Sequence, residues 1–342
     1  MTWFEALGRI EALEDAPLDR ALVGEFERFA PQVAARAIRF STPTFRAYSG
    51  CDIEGCGKNS FPAFSVTAGG CALMCEHCQA KILEPMIPAT SPEMLEGKVR
   101  SLIAAQDLQG FLLSGGSTRR NEIRYERYLP VLERLKREFP HLKIAVHSAL
   151  LDAPRAHALA SAGVDTVMMD VIGAQETIRE VYHLERPVED FEATLAALCS
   201  TTMEVVPHIV IGLHFGRILG EENALDIVRR HAVHSLVLVV IMPFYARPGS
   251  FSTPDASDVG RIFLEARQRI AERPVLLGCA RPPGMHRRVT DAYAVMAGLD
   301  GIAFPAEGAL GVAHAIGRPA AQEHACCSIK TGRTIKLHPV KA

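Results

Sequence analysis

From residue 61 onward, short apolar runs alternate with segments in which apolar residues recur every three or four positions. The first pattern is typical of strands buried on both faces of a parallel sheet, and the second of the helices that cover such a sheet. Eight strand-like runs are present: AFSVT, GFLLS, LKIAVHS, DTVMMDV, MEVVPHIVIG, HSLVLVVIMPF, PVLLGC and DGIAFP. Eight strand–helix units within about 250 residues predict a TIM-type (β/α)8 barrel, with a doubly wound open sheet as the alternative.

A helical pattern also precedes the first strand. Leu18, Leu22, Phe26, Phe29 and Val33 follow one another at steps of three and four, which predicts one apolar helix face. We therefore expect three parts: an N-terminal helical extension over residues 1–60, a barrel over residues 61–310, and a tail over residues 311–342 that folds over the barrel mouth. In a barrel of this kind the active site lies at the C-terminal ends of the strands.

Composition narrows the class of protein. Hydrophobic residues make up 48% of the chain, so we expect a sizeable core. The formal net charge is −2, so we expect neither a nucleic-acid partner nor binding to a membrane surface. No apolar run reaches the roughly 18 residues of a membrane-spanning helix. The first residues lack the apolar stretch of a secretion signal, so we expect a cytoplasmic protein.

Nine cysteines in such a chain do not suggest a disulfide framework. Cys71, Cys75 and Cys78 form the stretch GCALMCEHC directly after the first predicted strand. Cysteine thiolates hold iron–sulfur clusters, and a site with only three protein ligands leaves one metal position open, as a catalytic metal requires. A zinc knuckle or a chance cluster is the alternative.

This three-cysteine loop resembles the signature of the radical S-adenosylmethionine (radical SAM) superfamily. The resemblance implies a 4Fe-4S cluster on Cys71, Cys75 and Cys78 whose open iron binds S-adenosylmethionine and releases a 5′-deoxyadenosyl radical. His77, between two of the cysteines, is expected to pack near the cofactor.

Later strand ends extend the resemblance. It implies that Gly115 and Gly116 hold the methionine amino group, although a tight strand-to-helix turn would look the same. It also implies that Ser148 and Asp170 bond the ribose hydroxyls unless they cap helices instead. The stretch HIVIGLHFG resembles the family motif that packs on adenine, through Ile211, Gly212 and Leu213.

Further cysteines suggest a second cluster. Cys51 and Cys56 resemble the auxiliary-cluster segment of lipoyl synthase, although a structural metal or free thiols would also explain them. Additional ligands of an auxiliary 4Fe-4S cluster are then sought among Cys279, Cys326 and Cys327.

The stretch CARPPGMHRR resembles the corresponding part of biotin synthase and its relatives. The resemblance implies that Arg281 projects over the cavity. A surface salt bridge is the alternative interpretation for this arginine.

Taken together, the chain resembles the split, two-component lipoyl synthase. The resemblance implies a sulfurtransferase that inserts sulfur into an octanoyl chain on a lipoyl carrier protein. The implied partners are that carrier protein, a second lipoyl synthase subunit, and a ferredoxin or flavodoxin. The alternatives are a biotin-synthase-like radical SAM enzyme that acts on a small molecule, and a non-catalytic iron–sulfur partner subunit.

Overall fold

A computed structural model describes residues 1–42, 53, 61–105, 108–323, 328–329 and 334–337. All eight predicted strands are present, and four further strands join them. The strands are β1 (Ile38–Ser41), β2 (Ala63–Ser65), β3 (Ile87–Pro88), β4 (Gly110–Ser114), β5 (Lys143–Ser148), β6 (Thr166–Asp170), β7 (Glu204–Ile211), β8 (Leu236–Val240), β9 (Val275–Leu277), β10 (Gly301–Ala303), β11 (Ala320–Glu323) and β12 (Thr334–Leu337).

Helices lie between most of these strands. They are α1 (Trp3–Leu7), α2 (Arg20–Val33), α3 (Pro92–Ala105), α4 (Leu129–Glu138), α5 (Ala153–Ser161), α6 (Gln175–Glu180), α7 (Val188–Cys199), α8 (Glu221–Arg229), α9 (Ala256–Arg269), α10 (Met285–Met296) and α11 (Ala309–Ala315). The N-terminal helix predicted from Leu18 to Val33 is α2, which begins after Asp19 because that carboxylate accepts from Ala21 and Leu22 N–H. In the part of the chain that the structure describes, no helix is long and apolar enough to cross a membrane.

The sheet runs in the order β3-β2-β4-β5-β6-β7-β8-β9-β10-β1-β11-β12. Every pairing is parallel except that of β11 with β12. The eight predicted strands are consecutive neighbours, and the sheet curls into a parallel half-barrel, which confirms the TIM-type fold class. Among the described strands, β3 and β12 are the two ends.

The sequence placed the barrel between residues 61 and 310, but the sheet itself extends beyond both limits. Strand β1 comes from the N-terminal part and pairs with β10, and β11 then pairs with β1. The apolar residues Ile38 and Phe40 are fully buried in that position. The N-terminal and C-terminal parts therefore complete the sheet edge in addition to flanking the barrel.

Two core layers hold the sheet. The larger one lies between the strands and the helices, and the smaller one fills the barrel interior. The inner layer consists of Phe61, Ala145, Met168, Val206, Val237, Leu276 and Ile329. Ile329 belongs to the C-terminal tail, so this part of the tail packs inside the barrel, where burying such a side chain contributes about 1.5–3 kcal/mol.

Candidate active site

A cavity of about 350 Å³ opens at the C-terminal ends of the strands. Its size falls within the roughly 300–1,000 Å³ of small-molecule sites. Alternation along the strands decides which side chains reach it, because successive residues of a strand point to opposite faces. On β7, for example, His208 and Val210 line the cavity while Ile209 and Ile211 are buried against the helices.

The three-cysteine loop lies on this cavity. Cys71, Cys75 and Cys78 all line it, directly after β2. The loop is fixed by Ala72 N–H, which donates to Ser117 O at 2.8 Å, and by Glu76 N–H, which donates to Val181 O at 2.9 Å. These bonds attach the cysteines to the loops after β4 and α6, so the rigid sheet sets the positions of the sulfurs.

The backbone of this loop is strained. Met74 and Gln79 each have a φ of 47° and Ala80 a φ of 59°, in the left-handed region that ordinary side chains avoid. Each such residue costs of order 1 kcal/mol or more, and such strain clusters at functional sites. Between them, Cys78 N–H donates to Cys75 O at 3.2 Å. In this conformation all three cysteines line the same cavity.

Burial changes the chemistry of these thiols. It raises the pKa of Cys78 to about 11, and burial together with the neighbouring Cys78 and Cys71 sulfurs raises the pKa of Cys75 well above its usual range. Both groups are therefore protonated at neutral pH unless a positive charge stabilises the thiolate. A metal supplies such a charge, since a coordinating thiol is deprotonated outright.

Gly115 and Gly116 also line the cavity. A Cβ atom on Gly116 would lie 1.9 Å from Gly70 O and 2.6 Å from Cys71 Cα, so only glycine allows the two loops to approach. The Gly116 N–H donates to Thr67 Oγ1 at 2.7 Å. The close approach fits a tight turn after β4, and the role of Gly115 and Gly116 toward the methionine amino group stays a prediction.

His77 lines the same cavity as the cysteines and packs against the Tyr182 ring, and its predicted position near the cofactor stays a prediction. Its ring centroid is 5.1 Å from that of Tyr182, and its Nδ1 is buried with no hydrogen-bond partner among the described residues. Burial lowers the pKa of His77 to about 4, so its imidazole is neutral. Burial and the nearby Asp170 carboxylate raise the pKa of Tyr182 well above its ordinary value.

Ser148 and Asp170, the two predicted ribose ligands, line the cavity at the ends of β5 and β6. Neither caps a helix: Asp152 caps α5, and the residue before α6 is Ala174. The structure thus removes the alternative that these side chains are helix caps, and their role toward ribose stays a prediction.

Sequence reasoning missed two histidines. His147 and His208 line the cavity beside Asp170, with their ring centroids 5.6 Å apart. Burial, followed by the charge of His147, lowers the pKa of His208 to about 4. The signal was available, since each histidine interrupts an otherwise apolar strand at a position that alternation turns inward.

The predicted adenine contacts lie elsewhere. Ile211, Gly212 and Leu213 do not line the cavity, and the side chains of Ile211 and Leu213 belong to the core between sheet and helices. Gly212, with a φ of 78°, donates its N–H to Glu221 Oε1 at 2.8 Å. The turn after β7 is thus held by a buried carboxylate from the start of α8, and none of its three predicted contact residues lines the cavity.

Arg281 does not project over the cavity, contrary to the sequence expectation. Its side chain is fully buried and forms an ion pair with Asp291, with Nε–Oδ1 at 2.6 Å and Nη2–Oδ2 at 2.8 Å. The guanidinium also donates to Gly278 O at 2.7 Å and to Phe304 O at 2.9 Å. A carboxylate on α10 within reach explains the inward direction, and Arg281 therefore positions the loop after β9.

Cys279 lies on that loop and lines the same cavity as the three-cysteine loop. The other proposed auxiliary-cluster ligands, Cys51, Cys56, Cys326 and Cys327, lie outside the described residues. Two described neighbours of these cysteines are informative. Ser328 lines the cavity, and Ile53 is buried in the main core.

Comparisons with known proteins agree with this geometry. A model of the radical SAM superfamily matches residues 65–230, from the end of β2 to the loop after α8. HydG, a maturase of the FeFe-hydrogenase, superposes with a TM-score of 0.56 at 12% identity, over 89% of this chain and 64% of its own. HydG from Carboxydothermus hydrogenoformans superposes with a TM-score of 0.55 at 16% identity, over 89% of this chain and 67% of the HydG chain. Methylornithine synthase (PylB) superposes with a TM-score of 0.53 at 10% identity, over 89% of this chain and 86% of the PylB chain.

No curated protein sequence gives a significant match. At 10–16% identity the structural likeness establishes the fold, and the chain spans somewhat less than two thirds of the first HydG chain. With the family match, it shows that this chain contains a radical SAM domain, and the superfamily uses a 4Fe-4S cluster and S-adenosylmethionine.

The residues present fit such a cluster. Three thiols converge on one cavity, and bare backbone at Gly116 lies directly against Cys71. Thiolates are the ligands that iron–sulfur clusters take. Cys71, Cys75 and Cys78 are therefore the residues that would hold the cluster.

Proposed function

We propose that this protein is a radical SAM sulfurtransferase of the lipoyl synthase type. It inserts sulfur into an octanoyl chain on a lipoyl carrier protein, as one half of a two-component enzyme. The observation that carries the proposal is the position of Cys279, which follows β9 and lines the same cavity as Cys71, Cys75 and Cys78, which follow β2. A further thiol at the cavity that holds the first three is what an auxiliary, sulfur-donating cluster would require.

The chain's own residues then have separate tasks. Cys71, Cys75 and Cys78 hold the 4Fe-4S cluster, which together with S-adenosylmethionine supplies a 5′-deoxyadenosyl radical. Leu112, Met168, Val210 and Val239 line the cavity with apolar atoms, suited to an alkyl chain. Such a lining keeps water from the reacting carbon, since protein groups orient and shield while the cofactor carries the difficult chemistry.

The tail supports an auxiliary cluster at the same cavity. Cys326 and Cys327 directly precede Ser328, which lines the cavity, and Ile329, which packs in the barrel interior. We assign Cys51, Cys56 and Cys279, together with one of the tail cysteines, to the second cluster. Bound there, the cluster would supply the inserted sulfur.

An exposed apolar rim supports a protein-borne substrate. Ile82 lines the cavity and is 45% exposed, and Met74 on the cysteine loop is 43% exposed. Phe244 is 56% exposed and packs on Tyr245 at the cavity edge, with ring centroids 4.3 Å apart. We propose that the octanoylated lipoyl domain docks on this rim, that the second subunit completes the thiolation, and that a ferredoxin or flavodoxin supplies the electron.

The test is mass spectrometry of an octanoylated lipoyl domain. The protein is reconstituted anaerobically and incubated with the domain, S-adenosylmethionine and reductant, with and without the partner enzyme. The expected result is the gain of one sulfur atom with 5′-deoxyadenosine as co-product. No mass change under both conditions would overturn the lipoyl assignment while leaving the radical SAM domain in place.

Variants separate the two thiol centres. Cys75→Ala is expected to abolish 5′-deoxyadenosine, whereas Cys56→Ala and Cys279→Ala retain it but yield no thiolated product. Cys199→Ala, at the end of α7 and outside the cavity lining, is the matched control with wild-type behaviour. Two cubane clusters require about eight iron atoms per chain.

Two other results identify the alternatives. About four iron atoms per chain, with 5′-deoxyadenosine formed, would indicate a biotin-synthase-like enzyme acting on a small molecule without an auxiliary cluster. Bound cluster without any 5′-deoxyadenosine would indicate a non-catalytic iron–sulfur subunit.

A further inference from the structure

Three neighbouring strands place a second set of metal-binding side chains in the cavity. His147 on β5, Asp170 on β6 and His208 on β7 each point inward, and Asp170 and His208 are directly paired across the two strands. Their ligand atoms all lie within 4.8 Å of one another, with His147 Nε2 and Asp170 Oδ1 at 3.7 Å. They are separate in the sequence, and only the curled sheet brings them together.

Contacts within the described part of the protein leave part of this cluster unpaired. The distance of 3.7 Å is too long for a hydrogen bond, and His208 Nδ1 is buried with no hydrogen-bond partner among the described residues. Leaving one buried polar atom unpaired costs about 1–3 kcal/mol. Inward polar groups on three adjacent apolar strands therefore indicate a ligand that supplies the missing interactions.

The donor set specifies the chemical class of that ligand. Two imidazole nitrogens and one carboxylate oxygen suit zinc and non-haem iron(II), which bind such ligands at about 2.0–2.2 Å and keep further positions open. Three thiolates, by contrast, suit an iron–sulfur cluster. All three side chains end in the same cavity, so one ion bound between them would contact all three.

We propose that His147, Asp170 and His208 bind one divalent transition-metal ion, Zn²⁺ or Fe²⁺, in the radical SAM cavity. This site is distinct from the cysteine-bound cluster and goes beyond the proposed function. Its open coordination positions face the space where substrate binds, so the ion takes a nitrogen, oxygen or sulfur donor of the substrate. Asp170 then serves as a metal ligand in place of the ribose contact that the family resemblance implies.

The test is titration of the anaerobically reconstituted protein with Co²⁺, a spectroscopic stand-in for zinc. The expected result is one further equivalent of metal, with ligand-field bands and without sulfur-to-cobalt charge transfer. His208→Ala and Asp170→Asn are expected to weaken this binding at least about 10-fold. His234→Ala, which removes an exposed histidine outside the cavity, is expected to bind like the wild type.

A conservative variant and a spectroscopic measurement separate metal binding from effects on folding and on the cluster. His208→Gln keeps the size and polarity of the side chain, and its melting temperature and cluster iron content should match those of the wild type while the cobalt equivalent is lost. Zinc X-ray absorption should show only nitrogen and oxygen neighbours at the site. These readouts do not depend on sulfur transfer to any substrate.

Three outcomes would overturn the proposal. They are the absence of a non-sulfur metal equivalent, its retention in both His208→Ala and Asp170→Asn, and its one-for-one displacement by S-adenosylmethionine. The last outcome would assign the three side chains to the cofactor's ribose.

Discussion

Two regions of the barrel bury polar side chains in opposite ways. At the cavity, His77 Nδ1 and His208 Nδ1 are buried without a hydrogen-bond partner among the described residues. Beside β9 and β10, the buried Arg281 and Arg318 use all their guanidinium nitrogens, on Asp291 and on backbone carbonyls. The two arginines thus find their partners inside the protein, whereas the two histidine nitrogens at the cavity are left for a bound molecule to pair.

The difference separates stability from function. A buried polar group without a partner lowers the stability of the fold, so it persists where bound molecules complete it. A fully paired buried charge holds neighbouring elements in place, and its removal leaves the opposite charge unpaired. The cavity is thus the part of the molecule built for ligands, and the β9–α10 region is the part that positions one of its walls.

The largest expected effect is in the paired region. Arg281→Met should lower the free energy of unfolding by about 3–5 kcal/mol, because it leaves the buried Asp291 carboxylate uncompensated. Denaturant unfolding of the two proteins measures the difference. The matched control is Arg261→Met, in an exposed ion pair with Asp258 at 2.9 Å, which should change stability by less than about 1 kcal/mol. Equal effects of the two substitutions would contradict the contrast between the regions.

The next effect is on the cavity itself. Gly116→Ala should reduce 5′-deoxyadenosine formation by about 100-fold, because a Cβ 1.9 Å from Gly70 O displaces the cysteine loop, and misplacement by an ångström has effects of that order. Product is quantified chromatographically, alongside bound iron. Gly69→Ala, in the same loop but with nothing within 4 Å of the new Cβ, should retain activity. Similar losses in both variants would show that loop composition, and not close approach, is responsible.

A smaller effect distinguishes unpaired from paired groups directly. His77→Phe keeps a ring against Tyr182 but removes the unpartnered nitrogen, so the stability of the cluster-free protein should not fall and should rise by up to about 1 kcal/mol. Tyr293→Phe on α10 removes the hydroxyl that accepts from Asp19 N–H at 2.8 Å, and should lower stability by about 1 kcal/mol. Melting temperatures compare the two, and destabilisation by His77→Phe would argue that its nitrogen is satisfied.

The smallest effect is expected for an exposed charged group, which belongs to neither of the two buried regions. Hydrogen bonds from Arg134 and Arg100 lower the pKa of Glu96 from 4.5 to about 2. Because the folded-state pKa is the lower one, this contribution is complete above the unfolded-state pKa and is lost as pH falls from about 4.5 toward 2. Glu96→Gln should therefore lose less than about 1 kcal/mol at pH 7 and approach the wild type near pH 2. Unfolding curves of the two proteins across this pH range measure the difference. A difference in the free energy of unfolding that grows as the pH falls would contradict the assignment.

Much of the fold follows from local pattern. The eight apolar runs became β2 and β4–β10 because continuous apolar stretches of strand length need burial on both faces. Strand β1 escaped prediction because IRFS is short and lies far in sequence from β10, its partner in the sheet. The three-cysteine loop was recognisable since its ligands are close together along the chain.

The amino-acid sequence by itself determined the alternation of strands and helices and the three-thiol loop, because both depend on residues within a few positions of one another. Only the tertiary structure decided that Arg281 turns inward to Asp291, that Ile211 faces the helices, and that His147, Asp170 and His208 share one cavity. The physical reason is that inward and outward directions, and contacts between distant strands, depend on how the whole sheet curls. The sequence of a single strand does not specify which strands lie next to it in the sheet.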